Sequence, residues 1–292
     1  MKTNILITGA NGQVGYEFSQ LDSAYALHSF SRQELDITDA EQVANRIQQT
    51  KADIVINCAA YTAVDKAESH PEQAKAINVA GCENLAQACQ QLDIPFIHIS
   101  TDYVYDGEKT SAYIETDATN PKSVYGQTKL QGESTIQAVG GKHIILRTSW
   151  VFGRHGNNFV KTMLRLMAEK TELNIVDDQT GCPTSANSIA RTILDMVPTL
   201  LDKSFHDWGI YHYSNGPSTS WYQFADAIQA TANQLGAELT CQLSPITTAQ
   251  YPTPAKRPMH SEMSNDKINH IFNIQPTPWQ QELTKIIEAT YE

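Results

Sequence analysis

The sequence predicts an α/β protein: a doubly wound parallel sheet of Rossmann type with a smaller, interleaved C-terminal lobe. Three observations carry this. Short apolar runs alternate with longer helix-period segments through the first half, as βαβ units do. A glycine-rich turn stands where the first run gives way to the first helix, the place where a dinucleotide fold turns. After Trp150 the rhythm changes to helical stretches separated by loops carrying Gly, Pro, Asn and Thr.

The elements follow in order. Ile5–Thr8 reads as a strand and is followed by a helix from about Gln13. Ala24–Phe30 is the second strand, and the Thr38-Asp39 cap signal starts a helix over Asp39–Gln49. Asp53–Asn57 is the third strand. Pro71–Gln91 reads as one long helix whose apolar and small positions are Ala74, Ile77, Ala80, Leu85 and Ala88. Phe96–Ser100, a helix over Lys122–Gln137 and a strand over His143–Arg147 complete the series. In the second half, helices are expected at Phe159–Ala168, Ala186–Leu201 and Trp221–Leu235, with weak strands at Leu173–Val176 and Ile210–Tyr213. Leu243–Pro258 carries four of the 12 prolines and reads as a surface loop. Residues 1–150 are therefore expected to form the dinucleotide-binding domain. Residues 151–292 are expected to be mainly a substrate-binding lobe, with segments returning to the first domain.

Composition narrows the function. The chain has 292 residues, 41% hydrophobic and 18% charged, with a net charge of −11. That length buries a core without disulfide or metal staples. The acidic balance, with no Lys/Arg-rich run, argues against nucleic acid and against a polybasic membrane anchor. Five cysteines without C-x-x-C spacing argue against a structural zinc or a disulfide framework. The start of the chain has no signal-peptide pattern, no run reaches membrane-span length, and a cytoplasmic location is expected.

Gly9-Ala10-Asn11-Gly12-Gln13-Val14-Gly15 has glycines spaced by three, which lets backbone N–H groups approach a pyrophosphate at a helix N-terminus. The fourth strand ends in Ser100-Thr101-Asp102-Tyr103. In a sheet ordered 3-2-1-4-5-6, that end faces the crevice beside strand one. Tyr125 and Lys129 stand at i and i+4 of one predicted helix and share a face. Tyr105 and Lys109 match the same Y-x-x-x-K spacing, but Asp106-Gly107 between them is a turn. A nearby ammonium favours phenolate, so Lys129 is expected to lower the Tyr125 pKa. Tyr125 would then give a proton to a developing alkoxide, with the Thr101 hydroxyl as a second donor. The second strand runs out into Ser31-Arg32, and Arg suits a 2′-phosphate. NADPH is thus expected to be preferred over NADH without excluding it, with Glu34 as a neighbour able to pair with Arg32.

This constellation resembles the extended short-chain dehydrogenase/reductases, and more narrowly the dTDP-4-dehydrorhamnose reductase family. The likeness runs through Gly9–Gly15, Leu35-Asp36-Ile37-Thr38, Asn57–Asp65, Ser100–Tyr105, Tyr125–Lys129, Arg147–Phe152, Asp178–Thr184 and Arg257-Pro258. The resemblance implies NADPH-dependent reduction of the C4 ketone of a dTDP-4-keto sugar in dTDP-rhamnose biosynthesis. It makes Thr101, Tyr125 and Lys129 the catalytic trio, with Tyr125 and Lys129 also at the cofactor, Lys129 on its ribose hydroxyls, and Thr101 also at the substrate. It places Gln13, Val14, Asp36 and Ile37 at adenosine and pyrophosphate, and Ala59, Ala60 and Tyr61 along the pyrophosphate and nicotinamide ribose. Asp102, Tyr103 and Trp150 fall on the sugar side, and Arg257 is a candidate diphosphate contact. Some relatives in the family are dimers bridged by magnesium. Here Glu17 keeps one acidic position and Asn187 replaces the other, so no metal is expected, and the chain is read as a monomer or a homodimer. Two other readings stay open: another nucleotide-sugar 4-ketoreductase or epimerase, and a non-catalytic NADP-binding regulatory subunit.

Overall fold

A computed structural model describes residues 2–291. Six parallel strands form the central sheet: β1 Asn4–Thr8, β2 Ala26–Phe30, β3 Ile54–Asn57, β4 Phe96–Thr101, β5 His143–Thr148 and, from the second half, a strand over Gly209–His212. The spatial order is β2-β1-β3-β4-β5 and then Gly209–His212. This corrects the order 3-2-1-4-5-6. The third strand in the chain crosses to the far side of β1 rather than lying beyond β2. The order therefore reverses between β1 and β3, and that is where the ligand crevice opens. β4 lies one place further along.

The strands are mainly apolar because both faces are covered, with most of their polar residues at the ends. On one face α2, Ala40–Thr50, packs through Val43 and Ile47, with Leu85 and Cys89 of α3, a long helix over residues 71–91, and Ile136 of α4, Val124–Val139. On the other face α1, Gln13–Phe18, packs with Ile189, Ile193 and Met196 of a helix over Ala186–Leu200. The second half thus supplies both the edge strand Gly209–His212 and a full covering helix to the first sheet.

Helix α3 is not uniform. Pro71–Lys75 and Gly81–Gln91 are α-helical, and a π turn over Ala76–Ala80 joins them. The wider turn shifts the phase of the buried stripe. Asn78 is fully buried, while Ala80, expected in the core, is exposed.

The smaller lobe has its own core between α5, Phe159–Glu169, a helix over Trp221–Gln234 and the C-terminal helix Trp279–Tyr291. A second correction falls here. Gln242–Ile246, expected as loop, is a strand pairing in parallel with Glu172–Val176. Pro245 is tolerated because the sheet has only these two strands, so every position is at an edge.

Candidate active site

The glycine-rich turn carries the backbone the fold requires. Gly9 has φ +71° and no room for a Cβ, which would meet Ala59 N at 2.6 Å. A Cβ on Gly15 would lie 2.1 Å from Gly9 O, so the helix can sit against the turn only without one. Beside this turn lies a cleft of about 430 Å³. Gly9, Asn11, Gly12, Arg32, Asp36, Ile37, Ala59, Ala60 and Tyr61 all line it. The missing Cβ atoms and the exposed backbone fit a diphosphate.

Six of the expected cofactor residues are not on the wall, Tyr125 and Lys129 of the helix over Val124–Val139 among them. Val14 is buried in the core and Gly15 is in contact with the turn. The Gln13 amide reaches Val151 O at 3.4 Å and accepts from Asn158 at 3.0 Å, tying the turn to the second half. Ser31 is buried, and its N–H and hydroxyl both donate to Glu34, at 2.8 and 2.7 Å. Glu34 is therefore committed to Ser31, and the partner of Arg32 is instead Asp36, at 3.7 Å. The Arg32 side chain remains 64% exposed at the mouth of the cleft.

α4 is capped at its start by Ser123, whose hydroxyl accepts from Gly126 N at 3.1 Å. Its buried face carries Tyr125, Lys129 and Glu133, one turn apart. Burial pushes the Tyr125 hydroxyl up to about 12, even though a hydrogen bond with Thr101 draws it down. The expectation that Lys129 lowers this pKa is not met. The Lys129 amine is turned to Ile99 O at 2.8 Å and His98 Nε2 at 3.0 Å. Thr101 also donates to Asp102 Oδ1 at 3.0 Å. Asp102 is buried, its pKa is pushed up to about 6 by desolvation, and its Oδ2 has no partner among the described residues. The decoy pair behaves otherwise: Tyr105 is fully buried and bonds Arg147 Nη1 at 2.7 Å and His212 Nε2 at 2.8 Å.

Tyr103 meets Tyr125 edge to face at 5.4 Å. Both pack with Tyr61 from the cleft wall. Tyr103 also feels the charges of Arg257 and Asp65. Arg257 lines a second cavity of about 580 Å³ with Phe159, Gln179, Trp221 and Tyr251. Its Nη2 bonds Asp65 at 3.1 Å, while its Nη1 is buried without a partner among the described residues. Trp150 stacks on Trp221 at 3.5 Å and holds φ +45°, a strained backbone that surrounding structure must enforce.

Sequence reasoning missed Phe159, Gln179, Trp221 and Tyr251, because nothing in their local pattern separates a cavity wall from a core. It also missed His98 and Asn78. A polar residue inside an otherwise apolar strand or stripe was the available signal.

At the position where the resemblance puts a bridging magnesium, the structure holds a carboxylate, Glu17, and an amide, Asn187. Asn187 donates its amide N–H to Glu17 at 2.9 Å, and an N–H facing the carboxylate is no ligand for a hard cation. Among the described residues no three His, Cys, Asp or Glu side chains gather as a metal set. No helix among them is long and apolar enough to cross a membrane.

Comparison with known proteins decides the family. The profile of the RmlD substrate binding domain matches residues 2–292. A dTDP-4-dehydrorhamnose reductase of Aggregatibacter actinomycetemcomitans is 42% identical over 287 residues, 97% of each chain. The chain belongs to the dTDP-4-dehydrorhamnose reductase family. A solved family member from Clostridium acetobutylicum superposes with a TM-score of 0.92 at 38% identity, covering 100% of both chains. Another, from Bacillus anthracis, was solved in complex with NADP and gives a TM-score of 0.89 at 36% identity, over 98% of this chain and 99% of that one. The chain is thus an oxidoreductase of the extended short-chain type, with a nicotinamide-dinucleotide fold.

Proposed function

We propose that the chain reduces the C4 ketone of dTDP-4-dehydro-β-L-rhamnose to dTDP-β-L-rhamnose with NADPH. The observation that carries this is the packing of Tyr125 with Tyr61, a wall of the glycine-rich cleft, and with Tyr103, which feels the charge of Arg257, whose Nη1 is buried without a partner among the described residues. In this reading Gly9–Gly15, Asp36, Ile37 and Ala59–Tyr61 hold the dinucleotide, whose nicotinamide supplies the hydride. Tyr125 gives its proton to the carbonyl oxygen as charge develops there. A hydroxyl held at about 12 is fully protonated at neutral pH, as a donor must be. Thr101, turning its single proton away from Asp102 Oδ1, donates a second hydrogen bond to the same oxygen, and Lys129 supports the cofactor ribose. Asp102, Tyr103 and Trp150 face the sugar, and Arg257 meets the substrate diphosphate.

The reductase reading is favoured over elimination by Tyr103, a phenol raised by burial where a dehydratase needs a carboxylate base. The test is loss of reduced-nicotinamide absorbance with a panel of dTDP- and UDP-4-ketohexoses, with NMR identification of the product. Turnover of the dTDP-4-keto-rhamnose alone supports the proposal. A 4-keto-6-deoxy product from dTDP-glucose and NAD would replace it with the dehydratase reading, and dinucleotide binding without turnover of any sugar would favour the regulatory subunit.

Two substitutions probe the ligand ends. Arg32→Ala should raise KM for NADPH about tenfold, leaving NADH unchanged. A charge-assisted contact is worth ~1.5–3 kcal/mol, and the exposure of Arg32 and its pairing with Asp36 keep it at the low end. Equal losses for both cofactors would remove Arg32 from the 2′-phosphate. Arg257→Ala should raise KM for the sugar nucleotide roughly ten- to a hundred-fold while the NADPH dissociation constant stays put. The check is steady-state kinetics beside a dinucleotide titration.

A further inference from the structure

Lys129 is 1% exposed, and its surroundings are unlike those of an ordinary ammonium. Ile99 O accepts one of its protons at 2.8 Å. The other near contact is His98 on β4, whose Nε2 lies 3.0 Å from Nζ. Cys82 on α3 stands beside the same ring, 3.8 and 3.9 Å from its two nitrogens, with its thiol pushed up to about 11 by burial and therefore neutral. On its own helix Lys129 neighbours Tyr125 and Glu133, and the Glu133 charge is already matched by the buried Arg147. Among the described residues no carboxylate is within ion-pair distance of Nζ.

Hydrogen-bond bookkeeping fixes which nitrogen of His98 carries its proton. Asn57 Oδ1 accepts from Ala59 N at 3.1 Å and from the Thr8 hydroxyl at 2.6 Å. A backbone N–H can only donate, so the carbonyl end of the Asn57 amide must face Ala59. Its Nδ2 then donates to His98 Nδ1 at 2.9 Å. With Nδ1 accepting, a neutral His98 carries its hydrogen on Nε2, aimed at Lys129. An ammonium has no lone pair to receive that hydrogen; an amine has one.

We infer that His98 holds Lys129 as an uncharged amine in the cofactor-free protein, and that Lys129 gains a proton when a dinucleotide enters the cleft. Desolvation acts in the same direction, lowering the pKa of Lys129 and of the His98 imidazolium. The inference rests on the cofactor reading above, because Ala59 is both a wall of the cleft and the group that orients Asn57. Negative charge arriving against that wall favours the ammonium. The proton comes from solvent; His98 keeps its own on Nε2, so the new ammonium must turn from the ring, its protons going to Ile99 O and the incoming cofactor. Tyr125 is then left without cationic help until the cofactor is in place, so the proton donor is tuned only in the loaded enzyme. His98 acts through Lys129 as a positioning residue.

Two measurements test this. Nitrogen-15 NMR of the cofactor-free wild type, with the His98 signals assigned by loss in His98→Gln, should show Nε2 protonated and Nδ1 bare at about pH 7. An Nδ1–H or doubly protonated ring overturns the inference. Calorimetric titration with NADPH, in buffers of differing ionisation heat at about pH 8, should show uptake of about one proton. The 2′-phosphate is already a dianion there, its second pKa being about 6. His98→Gln offers an ammonium a carbonyl acceptor, so it should bind NADPH with uptake near zero. Normal wild-type binding without uptake, or unchanged uptake in the variant, refutes the inference. Absence of wild-type binding would instead refute the cofactor reading, and the ring tautomer would still decide the His98–Lys129 arrangement.

Discussion

Tyr125→Phe should lower kcat by ~10²–10⁴-fold, the usual worth of a positioned general acid. The ring stays in its packing against Tyr103, so the fold and the NADPH dissociation constant should barely move. What disappears is the hydroxyl on which Thr101 acts, buried beside Tyr61 and Tyr103. Single-turnover kinetics with bound NADPH separates this from a binding defect, and near-normal kcat would remove Tyr125 from the chemistry. Tyr105→Phe is the instructive contrast. Its hydroxyl is enclosed between Arg147 and His212, so the change should cost ~1–3 kcal/mol of stability by stranding buried polar groups, with little effect on kcat.

Arg147→Met should be the most destabilising of these changes, by ~3–5 kcal/mol. Arg147 on β5 and Glu133 on α4 are 2% and 1% exposed and pair in bidentate fashion, with the Ser100 hydroxyl closing on the same carboxylate. Removing the guanidinium leaves Glu133 charged and enclosed one turn from Lys129. Urea unfolding should show a lower midpoint at constant m, which reports stability and not compactness. The double change Arg147→Met with Glu133→Leu should recover most of the loss, because desolvating two charges costs nearly as much as their attraction returns. A single variant as stable as the wild type would show that the pair is not buried in solution.

The parts of this molecule that were legible in the sequence are those with local signatures. The Gly9–Gly15 turn, the alternating strands and helices and the shared face of Tyr125 and Lys129 all follow from spacing. Strand order did not, because nothing in residues 31–57 says on which side of β1 the third strand will land. The second cavity was invisible because Phe159, Trp221 and Tyr251 come from three separate segments. The Tyr125 pKa was misread for a related reason. Its i, i+4 spacing brings Lys129 to the right face, but His98, from another element, decides where the amine points. Arg32 shows the same limit, since Asp36 and not Glu34 became its partner once Ser31 had claimed Glu34.

The π turn in α3 makes one residue's worth of chain length a functional quantity. Because of it Asn78 faces inward, accepting from Tyr61 N at 2.8 Å and donating to Tyr61 O and the Thr128 hydroxyl. Thr128 adjoins Lys129, so this one amide staples the cofactor-side loop to the helix of the reacting groups. Deleting any residue between Ala76 and Ala80 would let the segment relax into an unbroken α-helix. That deletion would keep the helix and its composition, yet rotate Asn78 by about a quarter-turn, 100° per residue, and release the staple. Insertions and deletions here are thus matters of phase and not of length, and a homologue with one residue fewer would need a different fastening between these two walls.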